Sequence, residues 1–261
     1  MCGTPLSLEN RNILLFSVDT ALQGLMMGGI FTFISVFVVR LGASKLQVSL
    51  VTSLPAIVLM LFSIPAGQFV QRQRDLVRVT NWTRVVHRGS FLLVALLPFF
   101  VVGPVLVTSI LVVWAAKSVS SAVLEASWMG VVAEVIPPAR RPKINGMRWA
   151  VLSVVTAGAV ALFGLILDRV SFPVNYQIVF TISFVGGLLG MVFYSRIRIP
   201  ENAAQEPAVA RIPIRQQIRD YWGSVAGSPG YLRYQLTVSV LRVGLNLCTA
   251  LYSIYWIRHL D

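Results

Sequence analysis

The sequence predicts an all-α membrane protein, a polytopic bundle of seven transmembrane helices, from its composition, its long apolar runs and the placement of its basic residues. Of its 261 residues, 56% are apolar and only 12% are charged, and the mean hydropathy is +0.75. Soluble domains carry about 25% charged residues, so about half of the charge that solvates a soluble surface is missing here. A protein that lies within a lipid bilayer is therefore expected.

Seven apolar stretches are long enough to cross a bilayer, whose hydrocarbon core of roughly 30 Å requires about 20 helical residues. Gly28, Gly29, Pro55 and Pro65 lie inside these stretches, where neighbouring helices can satisfy a broken backbone ladder. The predicted spans 1 to 7 are residues 12–40, 46–70, 82–102, 105–135, 146–167, 174–195 and 234–257.

The basic residues predict the orientation of the bundle, because arginine and lysine concentrate on the cytoplasmic side of membrane proteins. The N-terminus is predicted to be cytoplasmic and the protein to be a multi-pass protein of the plasma or inner membrane. The net charge of +12 lies between apolar runs and so predicts no nucleic-acid partner. The predicted outer residues are Arg40, Lys45, Arg169 and Arg258, and the inner clusters are Arg11; Arg72, Arg74, Arg78, Arg84 and Arg88; Arg140, Arg141, Lys143 and Arg148; and Arg196, Arg198, Arg211, Arg215, Arg219 and Arg233.

One long polar interval, residues 197–233, is predicted to be a cytoplasmic linker between a six-helix unit, 1–196, and a last helix in 234–261. Its start, 201–207, is small and polar, as in a flexible segment. Apolar residues then recur at helical spacing, which favours an amphipathic helix on the inner membrane surface, with a partner-binding helix as the alternative. The apolar set is Ile214, Ile218, Tyr221, Trp222 and Val225, opposite Arg215, Gln216 and Arg219.

The ends of predicted spans 1 and 7 are similar, since each is a bulky apolar run closed by an arginine, Arg40 in one and Arg258 in the other. Interfacial arginines and aromatic residues also produce such ends by chance. If the similarity is a repeat, span 7 is the first helix of a second unit. Parallel repeats of six spans are a known construction of transporters.

This arrangement of six spans, a cytoplasmic N-terminus, a long linker and a seventh span resembles the first half of the major facilitator superfamily of secondary transporters. Residues 41–44 (Leu-Gly-Ala-Ser) and 65–67 (Pro-Ala-Gly) are similar to sequence segments that are common in this family. The segment 134–146 after span 4 resembles it too, and there we single out Arg140, Arg141 and Gly146.

Two signatures of that family are present in altered form. Between spans 2 and 3 the family has Gly-x-x-x-Asp-Arg-x-Gly-Arg, which Gly67 and Arg72 match. In span 4 it has Arg-x-x-x-Gly, which appears here as Lys117-x-x-x-Ser121. The departures in the first signature are Gln71, Arg74 and Asp75.

The resemblance implies a bundle of major-facilitator type, incomplete relative to twelve helices, that moves a small molecule or ion by alternating access. It also implies a second transmembrane half as partner. The alternative is a membrane-embedded scaffold or half-unit without transport activity of its own. A seven-helix receptor or retinal protein is disfavoured, because the N-terminus is predicted inside and span 7 has no lysine.

No enzyme, cofactor or metal site is predicted. The sequence has no nucleotide-phosphate loop, zinc-binding HExxH motif or GxSxG nucleophile elbow. Its two cysteines, Cys2 and Cys248, are too far apart in sequence for a metal-binding spacing.

Four ionisable residues are predicted to lie within spans: Asp19 in span 1, Lys117 and Glu125 in span 4, and Arg242 in span 7. A charge within a membrane helix costs at least about 2.5–3.5 kcal/mol, so each is a candidate for function. The resemblance implies that spans 1, 4 and 7 line a central cavity, while spans 3 and 6 face lipid and carry no charge at depth. At about 1.5 Å per residue, either acid could pair with Arg242, and Lys117 lies nearer the midplane, where substrates bind.

These four residues have two interpretations: they bind substrate and exchange protons, or they form structural ion pairs between helices. Ser118, Ser121 and Ser127 are weaker candidates, because serine in a membrane helix usually bonds its own backbone or a neighbouring helix. His87, between Arg84 and Arg88, is predicted to be an anchor at the inner membrane boundary.

Overall fold

A computed structural model describes residues 8–199 and 214–259, which form helices joined by short turns, with no strand among them. The predicted segment 201–207 lies outside the described residues. Within these described residues, six helical spans are long and apolar enough to cross a membrane, and they confirm predicted spans 1 to 6. These spans are Leu8–Arg40, Lys45–Gln71, Leu76–Phe100, Pro104–Val135, Pro138–Arg169 and Val174–Tyr194.

Two further helices follow the six spans. The helix Ile214–Ala226 lies within the predicted linker, where Arg215, Arg219 and Trp222 are exposed and Val225 is buried. The last helix, Pro229–His259, contains predicted span 7 and packs against spans 1 and 2. Its crossing of the membrane and the division of the chain into two units stay predictions.

Local signals in the sequence fix where several spans begin. Ser44 and Gln47 form a reciprocal capping box at the start of span 2, with N–H to side-chain oxygen distances of 2.9 and 3.3 Å. The Asp75 carboxylate accepts a hydrogen bond of 2.9 Å from the backbone N–H of Arg78 at the start of span 3. Because the connections between spans are short, consecutive spans run antiparallel.

Spans 1, 3, 4 and 6 form the interior of the bundle. Span 1 packs against spans 5 and 6, span 4 against spans 2 and 3, and span 3 against span 6. Spans 2 and 5 lie at the periphery, each with only 11% of its most apolar window buried. Buried aromatic residues, among them Phe37, Phe91 and Phe180, form the main core between the inner spans.

Span 1 contains a π-helical segment, Met27–Phe31, where its glycines meet neighbouring helices. A Cβ on Gly28 would lie 2.7 Å from the Thr156 carbonyl oxygen of span 5, so only glycine allows this approach. The Ser183 hydroxyl of span 6 accepts a 3.2 Å hydrogen bond from the Ile30 N–H. A polar group from a neighbouring helix thus satisfies a backbone donor in the irregular segment.

Candidate functional site

A buried ion pair joins span 1 to span 3. The Arg84 guanidinium donates two hydrogen bonds to the Asp19 carboxylate, of 2.8 Å to Oδ1 and 2.9 Å to Oδ2. The Arg88 Nη2 lies 3.9 Å from the same Oδ1, and its Nη1 donates to the backbone carbonyl of Gly187 in span 6. One carboxylate therefore serves two buried guanidiniums, and the donor fork of Arg84 meets it in a bidentate geometry.

Glycines of span 6 make room for this ion pair. A Cβ on Gly187 would lie 2.9 Å from Arg88 Cδ, and a Cβ on Gly190 would lie 2.8 Å from Asp19 Oδ1. Any larger residue at Gly190 would therefore displace the carboxylate, because that contact is shorter than a Cβ can make. Small residues at helix interfaces let membrane helices approach closely, and here the approach encloses charge.

Aromatic rings contact the guanidiniums of Arg84 and Arg148. The Arg84 guanidinium carbon lies 3.9 Å from the centre of the Tyr194 ring, and that of Arg148 lies 3.9 Å from the centre of the Trp128 ring. The Arg148 Nε also donates a 3.1 Å hydrogen bond to Thr20 Oγ1 in span 1. Stacking and this hydrogen bond together orient the Arg148 guanidinium.

These charges line one cavity of about 180 Å³ between spans 1, 3, 4 and 5. The side chain of Glu125 is exposed and contributes to the same wall lining as the arginines. Asp19 lies directly behind the cavity, bound to Arg84. One carboxylate and three guanidiniums therefore line one small volume, and a second carboxylate binds two of these guanidiniums, an arrangement that can bind a charged group. The lining residues are Gln23, Met26, Thr80, Arg84, His87, Arg88, Leu124, Glu125, Trp128 and Arg148.

The buried ammonium of Lys117 lies among aromatic rings. Its Nζ is 4.0 Å from the centre of the Trp114 ring and 4.9 Å from that of Phe31. Among the ion pairs found in residues 8–199 and 214–259, none includes Lys117. Phe31 also stacks on His87 with a centroid distance of 6.5 Å, so His87 connects the lysine's surroundings to the cavity. Cation–π attraction holds this ammonium in place of a carboxylate.

The candidate serines bond mostly to their own helix. Ser121 donates a 3.3 Å hydrogen bond to the Lys117 carbonyl, and Ser127 donates one of 3.2 Å to the Leu124 carbonyl. Ser118 is buried beside Lys117 in the chain. The structural interpretation of Ser121 and Ser127 therefore matches the bonds that these hydroxyls form.

The structure brings two of the four main candidates together. Asp19 and Glu125 approach the same cavity, and Lys117 lies two helical turns from Glu125 along span 4. Arg242 is exposed on the last helix, its predicted pairing with either acid stays a prediction, and Asp19 pairs with Arg84 and Arg88.

The candidate residues of the family-like segments lie within spans 2 and 5, except Arg72, which directly follows span 2. Arg141 donates hydrogen bonds of 2.9 and 2.8 Å to two carbonyls at the end of span 4, and exposed Arg140 forms a 2.9 Å ion pair with Glu9. Arg72 caps the end of span 2. A Cβ would meet no atom within 4 Å at Gly67 or at Gly146.

Arg84, His87, Arg88 and Arg148 lie within helices and not in the connections between them. The first three are buried in span 3, and Arg148 is partly buried in span 5, because Asp19 and aromatic rings compensate the charge that lipid would not. Span 3 therefore carries charge inside the bundle, whereas none was expected at depth from the sequence. A sequence signal was available, since Thr80, Arg84, His87, Arg88 and Phe91 recur at helical spacing on one face.

The chain is similar to a known protein family over almost its full length. It matches the family model described as Major Facilitator Superfamily over residues 14–259. A comparison with curated proteins found no match. The matched region includes the cavity, Lys117 and the last helix.

Proposed function

Because the chain belongs to the major facilitator superfamily, a family of membrane transporters, we propose that it moves a small solute across the membrane by alternating access. The main support is the cavity that Arg84, Arg88, Glu125 and Arg148 line. Ionisable groups within membrane spans are costly, and they occur typically on substrate or proton pathways. Alternating access would expose this cavity first to one side of the membrane and then to the other.

Exchange of ion-pair partners would couple the solute to a proton. Glu125 forms no ion pair within 4.0 Å among the described residues, and Asp19 is held by Arg84 and Arg88. Protonation of Glu125 would remove one carboxylate from the cavity and leave a guanidinium for the solute. The groups that face Glu125 are Arg84, His87 and Arg88 from span 3 and Arg148 from span 5, with Asp19 of span 1 behind them.

Lys117 is proposed to bind the solute nearer the midplane. Its ammonium contacts the aromatic faces of Trp114 and Phe31, and these contacts are weaker than a buried ion pair. An entering solute could therefore attract the ammonium at modest cost. Arg242 would act from the opposite wall, which the last helix and a second set of spans would form, with the N-terminus in the cytoplasm.

The test compares cells that produce the protein with cells that produce Lys117→Ala. Steady-state levels of labelled anionic, neutral and cationic solutes are measured in both and in cells without the protein, so that uptake and efflux are both detected. At least one solute level is expected to change with the protein and to return to the empty-cell value with Lys117→Ala, while membrane levels of the variant stay equal. Lys117→Arg, which keeps the charge, serves as the control and should retain part of the change.

Two results would contradict the proposal. If no solute level changes with the protein, a scaffold or half-unit without its own transport activity is favoured. If transport persists unchanged in Lys117→Ala, Lys117 is structural.

A further inference from the structure

The cavity holds more basic than acidic side chains, and its arginines differ in how many of their hydrogen-bond donors are already bound to other residues. Three guanidiniums, those of Arg84, Arg88 and Arg148, lie with two carboxylates, those of Asp19 and Glu125. We infer that the solute of the proposed transporter is a small organic anion whose carboxylate, or a similar oxyanion, binds to Arg148 in this cavity. That the anion is transported rests on the proposed function, but the existence of the anion site does not.

Arg148 has unused hydrogen-bonding capacity. Its Nε donates to Thr20, but its two terminal nitrogens reach no acceptor among the residues that the structure describes. Arg84 differs, because both of its terminal nitrogens are bound to Asp19. A guanidinium carries five N–H donors and remains charged in proteins, so donors of Arg148 are left for a ligand.

The setting of Arg148 suits planar, two-point recognition. Its guanidinium carbon lies over the Trp128 ring, 3.9 Å from the ring centre, and its Nε donates a hydrogen bond to Thr20 Oγ1 of span 1. A guanidinium held in this way is already oriented, so little further side-chain freedom is lost when it binds a carboxylate through two parallel hydrogen bonds. A compact ammonium at this position would lack that fork.

Arg88 adds a second attraction. It shares the Asp19 carboxylate with Arg84 at a longer distance, 3.9 Å against 2.8 Å, so its charge is only partly compensated. Together with Arg148 it gives the cavity wall a positive potential in surroundings of low dielectric, where such a potential attracts an anion strongly.

Glu125 is the competitor of the anion. It lies in the same cavity, it forms no ion pair with any residue in 8–199 or 214–259, and it repels a second negative charge. The anion would therefore bind more tightly when the negative charge of Glu125 is removed. A solute bearing a positive charge would instead meet the arginines and be rejected.

The experiment measures the thermal stability of the purified full chain in detergent with three probes of nearly the same shape. The probes are benzoate, benzamide and benzylammonium, and a ligand that binds the folded state raises the unfolding temperature as its concentration exceeds its Kd. Benzoate is expected to raise the unfolding temperature, while benzamide and benzylammonium leave it unchanged.

Variants then locate the site. Arg148→Gln is expected to weaken benzoate binding by about tenfold or more, since it removes a charged hydrogen-bonding partner. Arg148→Lys should bind with intermediate affinity, and Glu125→Gln should bind benzoate about tenfold more tightly because a like charge is removed. Arg169→Gln is the matched control, since Arg169 is an exposed arginine of the same span outside the cavity, and it should bind as the unchanged protein does.

The inference is overturned if benzamide stabilises the protein as much as benzoate, if benzylammonium does so instead, or if Arg148→Lys and Arg148→Gln both keep full affinity. Its failure is distinguishable from that of the proposed function. Transport of a cation without benzoate binding overturns only the anion site. Benzoate binding with no change in any cellular solute level overturns only the proposed transport.

Discussion

Replacing Asp19 by alanine should destabilise the protein strongly, because it leaves two buried arginines without their carboxylate. The side chains of Arg84 and Asp19 are 10% and 4% exposed, and the Arg84 fork binds both carboxylate oxygens at 2.8 and 2.9 Å. Removing one partner of a buried ion pair costs about 3–5 kcal/mol, since the remaining charge stays buried and unpaired. Asp19→Ala should fall in the upper part of that range, because Arg88 loses a partner as well.

A second ion pair between an arginine and a carboxylate, but largely exposed to solvent, provides a matched control. Arg140 and Glu9 lie 2.9 Å apart, but their side chains are 58% and 32% exposed. Exposed pairs of this kind contribute about 0.2–1 kcal/mol. Glu9→Gln should therefore be nearly neutral, although its ion-pair distance is almost the same as that of Asp19 with Arg84.

The assay is reversible unfolding in mixed micelles, with loss of helical signal followed as denaturing detergent is titrated in. The double variant Asp19→Ala, Arg84→Ala should lose less unfolding free energy than the sum of the losses of its single variants. When both side chains are removed, neither Asp19 nor Arg84 remains as a buried charge without the other. If Asp19→Ala unfolds no more readily than Glu9→Gln, or if the double variant is additive, the buried pair does not stabilise the bundle as described.

Three further outcomes are expected. Gly28→Ala should lower the unfolding temperature, since its Cβ would lie 2.7 Å from a backbone carbonyl of span 5, whereas Gly67→Ala, with no atom within 4 Å, should not; equal effects would contradict the close helix contact. Trp114→Leu should destabilise the protein by about 1–2 kcal/mol in the same assay, because the Lys117 ammonium loses its closer aromatic face. A reporter fused after Asp261 should be active only outside the cytoplasm if the last helix crosses the membrane, and cytoplasmic activity would refute the seven-span topology.

The spans could be predicted from the sequence because lipid imposes length and apolarity on every crossing helix. Predicted span 4, 105–135, differs by one residue at its start from the observed Pro104–Val135, since Gly103 and Pro104 mark that start sharply. Span 3 was predicted to begin too late, at residue 82 instead of Leu76, because arginines in its first turns lowered the local hydropathy.

The partners of the buried charges could not be predicted. Asp19 and Arg84 are 65 residues apart in the chain, and nothing local distinguishes this pairing from the expected one with Arg242. Their meeting depends on how closely spans 1, 3 and 6 approach, which glycines such as Gly187 and Gly190 allow. The π-helical segment, which ends at Phe31 beside the Lys117 ammonium, is also set by helix packing, and a pair of glycines alone does not indicate it.

Access to Glu125 from the two sides of the membrane tests alternating access most directly. Cys2 and Cys248 are replaced by serine, Glu125 is replaced by cysteine, and a membrane-impermeant maleimide is added to right-side-out and to inside-out vesicles. The proposed transporter predicts labelling from both sides, with labelling slowed by a bound solute. Labelling from one side only, at every time and in every vesicle preparation, would contradict it.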